Sequence, residues 1–201
     1  MLFLSTLTRS ISALVQKRAS SPSGIIVVTQ PKTPRLPSLP GTTLEGGRLC
    51  RAFANSPEVL FVLDGETATT ATVKEALSQR PWLHLACHGS QDLTNPLKSA
   101  FVLHDGPLSL SNLMNTTADN AELAFLSACQ TAGGDEKIPE ESMHLAARML
   151  AVGFKGVIAT MWSIRDDDAP LVVETYYRRL LELRASRRSR RRRDWCGLRT
   201  P

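Results

Sequence analysis

Short apolar runs and longer amphipathic stretches take turns along this chain. The runs fall at residues 25–29, 58–63, 82–87, 122–128 and 156–161, and each ends in turn-forming or polar residues. Runs of that length, rich in β-branched and aromatic side chains, predict buried strands. Helical spacing of apolar positions covers 44–55, 70–79, 141–152 and 166–183. Thr69 or Thr70 is placed to cap the second of these helices, and Gly153 to stop the third. Gly46 and Gly47 weaken the first. Residues 30–41 contain Pro31, Pro34, Pro37 and Pro40, which predicts an extended loop. A small hairpin is expected over 100–110, turning at Asp105-Gly106, with a helical turn over 110–114. Strands alternating with helices imply an α/β fold whose mainly parallel sheet is covered on both faces.

Before the first strand the pattern is ambiguous. Residues 2–19 hold no acid, and Leu4, Leu7, Ile11, Leu14 and Val15 form a helically spaced stripe. A surface helix and an acid-poor presequence share that pattern. At the other end the charge changes sharply. The chain carries +5 in all, but residues 184–201 hold eight arginines and one aspartate, +7, which leaves a body of −2. A like-charge block of this kind is expected to be a disordered tail, with nucleic-acid binding or nuclear targeting as its possible uses.

Length suits one domain with a full core, and no apolar run is long enough to span a membrane. Cys50, Cys87, Cys129 and Cys196 follow neither a disulfide nor a zinc-ligand spacing. A reducing, cytoplasmic setting without metal or other cofactor is the expectation.

Two of the apolar runs stop at residues able to do chemistry. Trp82-Leu-His-Leu-Ala-Cys-His-Gly89 delivers His88 and Gly89, and Ala124-Phe-Leu-Ser-Ala-Cys-Gln130 delivers Cys129. Open α/β sheets gather ligands and catalytic groups beyond the carboxyl ends of their strands. If these two strands are neighbours, His88 and Cys129 form a general base and a thiol nucleophile, and the N–H groups of Gly89 and Cys129 can serve an oxyanion. Glycine lets a substrate approach the backbone closely. A single strand-end histidine or cysteine is more often packed than catalytic; the two together carry more information. His84 shares the strand face of His88 but lies deeper, and Cys87 points the opposite way, as a core thiol. A metal site built from His84, Cys87, His88 and Cys129 would need ligands from both strand faces to converge.

His84-Leu-Ala-Cys-His-Gly89, Asn95-Pro-Leu-Lys-Ser-Ala-Phe101, Glu122-Leu-Ala-Phe-Leu-Ser-Ala-Cys-Gln-Thr131, Glu141-Ser-Met-His-Leu-Ala146 and the stretch 153–169 give the chain its resemblance to a CHAT domain. This caspase-like module is usually found behind tetratricopeptide repeats, and the likeness is to its fungal versions. The resemblance spans most of residues 5–182. It implies a caspase-like three-layer sandwich and a cysteine endopeptidase in which His88 and Cys129 form the dyad, regulated by a partner protein. It also implies that residues 1–24 are a leading helical segment, 25–183 the caspase-like domain, and 184–201 an Arg-rich tail. His144 matches a family position on the helix after the nucleophile strand. An acid is kept at the position of Asp166, where it would favour a basic side chain beside the scissile bond. Asp166 to Asp168 also suit the acidic first turn of a helix. Relative to the family the module is expected to be shortened at both ends, without the preceding repeats and without a last strand beside the fifth. A catalytically weak scaffold for protein interaction is the alternative function, and a nucleic-acid binder the third.

Overall fold

The computed structural model describes residues 4–8, 24–56, 59–90, 92, 94–116, 121–127, 140–160 and 167–197. Six strands make one sheet: β1 (Leu4–Thr8), β2 (Ile25–Thr29), β3 (Leu60–Asp64), β4 (Trp82–Ala86), β8 (Leu123–Leu126) and β9 (Gly156–Thr160). Their order is β1-β9-β8-β4-β2-β3, with β1 antiparallel to β9 and the other five strands parallel. The chain leaves β2 for β3 on one side and then crosses to β4 on the other. The switch point of the sheet therefore lies between β2 and β4, whose carboxyl ends open one crevice.

The β-branched residues Ile25 to Val28 are buried whichever way they point, as a central parallel strand requires. One face of the sheet, with Ile25, Val27, Trp82, Leu123, Phe125 and Ile158, packs on α1 (Gly41–Ala52) and α5 (Ala169–Gly197) through Leu49, Phe53, Val173 and Tyr177. The other face, with Ile26, Val28, Leu83, Leu85, Ala124 and Val157, packs on α2 (Thr70–Leu77) and α4 (Glu140–Val152). The same layer holds α3 (Leu110–Met114) and a small antiparallel sheet of β5 (His88–Ser90), β6 (Ala100–Val102) and β7 (Pro107–Ser109). The result is the expected α/β sandwich of three layers around a mainly parallel sheet. Among the described residues no helix is long and apolar enough to cross a membrane.

Local chemistry accounts for the boundaries. Thr69 caps α2 reciprocally: its hydroxyl accepts from the Thr72 N–H, and its own N–H donates to the Thr72 hydroxyl. Gly153 has φ +127°, and the bonds from Gly153 N–H to Leu150 O and from Phe154 N–H to Met149 O close α4 in a Schellman motif. Gly46 faces β2, where a β-carbon would lie 3.2 Å from Thr29 Cγ2. The glycine that weakens α1 in isolation is what lets the helix seat on the strand.

Three expectations are corrected. Leu4–Thr8 form a strand rather than part of a leading helix, because β9 offers a free row of backbone groups; residues 9–23 lie outside the described residues. The sheet edge beside β9, expected to be bare, is occupied by β1. Finally, α5 runs on through the Arg-rich stretch to Gly197, where a disordered tail was expected. Arginine is a good helix former, and a helix already nucleated against the sheet can continue through such residues.

Candidate active site

The base half of the expected dyad is built by β4 and the small sheet together. Cys87 interrupts the strand, so His88 does not end β4 but opens β5, where its backbone pairs with Val102. The side chain is 5% exposed. Its Nε2 lies 2.8 Å from the carbonyl oxygen of Pro37, in the proline-rich loop after β2. A carbonyl oxygen only accepts, so Nε2 carries the proton and donates it; the neutral ring then keeps its free lone pair on Nδ1. The loop thus sets the tautomer and the tilt of the ring. Around this contact the loop is bound to itself through Leu36 N–H to Thr33 O and Leu39 N–H to Pro31 O. Arg35 in this loop takes a left-handed φ of 67°.

Beside β4 runs β8, in parallel, with Leu85 opposite Leu126. Ser127 continues the ladder by donating its N–H to Leu85 O at 2.9 Å. Cys129 itself, with residues 128–139, lies outside the described residues, as does Asp166. Asp167 and Asp168 form the turn before α5 rather than its first turn, and Asp168 O accepts from the N–H groups of Leu171 and Val172. His144 falls on α4, and its side chain lies outside the described residues.

Gly89 follows the histidine on β5. A β-carbon there would meet, among the described residues, only Leu145 Cδ2, at an ordinary 3.6 Å. The packing of the described residues therefore does not demand glycine.

His84 and Cys87 divide between the two faces of the sheet, as alternation predicts. Cys87 is buried in the α2/α4 layer. Burial, with a smaller contribution from the negative charge of Glu45, pushes its thiol up to about 12. It is a neutral core thiol at physiological pH and a poor nucleophile. His84 is fully buried on the α1/α5 side, with its ring 5.1 Å from that of Phe125 and 5.7 Å from that of Tyr177. Its Nε2 sits 2.7 Å from Glu45 Oε1, within ion-pair distance, although its N–H is not aligned on the carboxylate. The Tyr177 hydroxyl lies 3.5 Å from Nδ1. The second carboxylate oxygen of Glu45 accepts from the Ser127 hydroxyl at 2.9 Å. Sequence reasoning had placed His84 and missed Glu45, Ser127 and the Pro37 carbonyl. Among the described residues no three His, Cys, Asp or Glu side chains converge as metal ligands.

A CHAT domain family model matches residues 2–194. The chain belongs to the CHAT domain family. The match covers nearly the whole sequence and runs well into the Arg-rich stretch, beyond the span over which the motifs alone had carried the likeness. Among curated proteins nothing matches. The CHAT domain is a caspase-like module, so the crevice at the β2/β4 switch point belongs to a peptidase-related fold.

Proposed function

We propose that this CHAT domain is a cysteine endopeptidase in which Cys129 attacks the scissile carbonyl and His88 handles the proton. The observation that carries this reading is the bond from His88 Nε2 to Pro37 O, which leaves Nδ1 as the basic atom at the carboxyl end of β4. The strand register adds to it. Strands β4 and β8 are parallel neighbours with Leu85 opposite Leu126, and His88 and Cys129 follow them by the same number of residues, which supports reading the two as a pair.

The chemistry then follows. Nδ1 takes the thiol proton, the thiolate adds to the carbonyl carbon, and the N–H groups of Gly89 and Cys129 hold the oxyanion. The imidazolium returns its proton to the departing amine. The same imidazole then draws a proton from the water that splits the thioester, giving a carboxylic acid and the free thiol. Because no neighbouring side chain among the described residues requires a glycine at 89, its place in the motif fits close passage of a substrate backbone.

In this reading Asp166 selects a basic side chain beside the scissile bond, and a protein partner controls access. A cytoplasmic setting fits the free thiols. The experiment is turnover of a panel of fluorogenic peptides by the wild type, His88→Ala and Cys129→Ala. Turnover of Arg- or Lys-containing peptides that both substitutions abolish supports the proposal. Activity that persists with Glu in place of Arg removes Asp166 from it. A folded protein that turns over no peptide, with or without partners, leaves the scaffold.

A further inference from the structure

We infer that Glu45 is a positioning residue, whose buried carboxylate ties the middle of β4 to the serine just beyond β8 and so fixes the origin of the chain leading to Cys129. The inference rests on the reading of Cys129 as the nucleophile.

The carboxylate is 1% exposed, and its two oxygens are divided between two strands. Oε1 meets His84 Nε2 on β4, and Oε2 accepts a hydrogen bond from the hydroxyl of Ser127, just beyond β8. Neither Oε1 nor Nε2 has a hydrogen-bond partner elsewhere among the described residues, so the two answer each other's charge or polarity. The layer between this face of the sheet and the helices α1 and α5 is otherwise an apolar cluster that includes Leu49, Phe125, Val173 and Tyr177. An apolar residue at position 45 would fill such a layer without the cost of burying a carboxylate. What the carboxylate adds is direction: it ties His84, in the middle of β4, to Ser127, just beyond β8.

The placement of Glu45 in the chain makes the point sharper. It stands on the second turn of α1, and the loop running into α1 carries Pro37. One short segment, 37–45, therefore reaches both a residue just beyond β4 and the residue that follows β8. Its Pro37 carbonyl holds His88, and its Glu45 carboxylate holds Ser127, two residues before Cys129. Base and nucleophile are referred to the same piece of backbone. Catalytic groups held to within a fraction of an ångström need such a common support.

Ser127 is half-buried, and its hydroxyl can be removed without opening a core cavity. The test uses the full chain in a Cys50→Ser background, which removes an exposed thiol. It compares the parent, Ser127→Ala, Ser127→Thr and Glu45→Gln by hydrogen exchange of the peptide spanning 127–131 and by the rate at which iodoacetamide alkylates Cys129. Ser127→Ala is expected to speed exchange of that peptide about tenfold, the scale of one net hydrogen bond, with β2 and β4 unchanged. Alkylation slows by a similar factor, and where a peptide is turned over, kcat falls with KM unchanged. Ser127→Thr, which keeps the hydroxyl, restores each rate to within about twofold. Exchange in Ser127→Ala equal to the parent overturns the inference, whatever Glu45→Gln does to folding. Alkylation of the parent that ignores His88→Ala would sink the endopeptidase reading instead, and the exchange comparison would still decide the clamp.

Discussion

His88 donates Nε2–H to the carbonyl oxygen of Pro37 across 2.8 Å, so the atom that orients the proposed base belongs to the main chain of a loop on the far side of the switch point. No side-chain substitution deletes that oxygen, but the stiffness of its support can be changed. Pro37 is exposed, and Pro37→Gly costs about 1 kcal/mol of stability through the unfolded chain and also removes the fixed φ that stiffens the loop in the folded protein. The expected outcome is a fall in kcat of several-fold with a smaller change in KM, read by steady-state kinetics on the best peptide. Equal kinetics in both proteins would mean that ring orientation does not depend on this loop.

Cys87 supplies a pH-dependent prediction. Its folded-state pKa is raised from 9.0 to about 12, so the native state keeps the thiol proton where the unfolded chain has lost it. The contribution to stability is full below about pH 9 and is lost as pH rises from there toward pH 12, at up to about 1.4 kcal/mol per pH unit. Denaturant titrations at pH 8, 9 and 10 should show that decline, and Cys87→Ala should flatten it. In the native protein at pH 8, Cys87 should resist alkylation until the chain unfolds.

Gly46 and Gly47 are adjacent on α1 and should respond oppositely to alanine. Among the described residues nothing lies within 4 Å of a β-carbon at Gly47, so Gly47→Ala should stabilise by about 1 kcal/mol through helix propensity alone. At Gly46 the same gain meets Thr29 Cγ2 at 3.2 Å. Gly46→Ala should be neutral or destabilising, and Thr29→Ser, which deletes that methyl, should improve it. Urea midpoints of the four proteins check this.

Arg184 belongs to the fold rather than to a tail. Its guanidinium lies 4.1 Å from the Trp82 ring centroid and 3.6 Å from Glu122 Oε2, which also accepts from Trp82 Nε1 at 3.1 Å. Arg184→Ala should cost about 1 kcal/mol in thermal unfolding, and Arg184→Lys should recover only part of it.

These residues show where the sequence was informative. The apolar runs of β2, β4, β8 and β9 and the strand-end motifs could be read because each is a local pattern. The strand Leu4–Thr8 could not, because five residues within an amphipathic stretch fit helix and strand alike, and β9 decides between them. Arg184 looked like the start of a charge block, and its meeting with Trp82 and Glu122, both distant in sequence, gives it a place. Glu45 sits in a polar, glycine-containing helix with nothing to mark it as buried; its partners His84 and Ser127 come from two distant strands. Pro37 acts through its backbone, of which side-chain patterns carry no trace.

The most direct test of the proposed dyad is labelling of the purified protein with a thiol-reactive peptide electrophile carrying Arg or Lys. Wild type, Cys129→Ala and His88→Ala are compared by mass spectrometry of the labelled peptide. The dyad predicts a single label on Cys129 that Cys129→Ala abolishes and His88→Ala slows by about a hundredfold or more. Labelling of a folded protein that is indifferent to both substitutions would contradict it and assign the domain to protein interaction without catalysis.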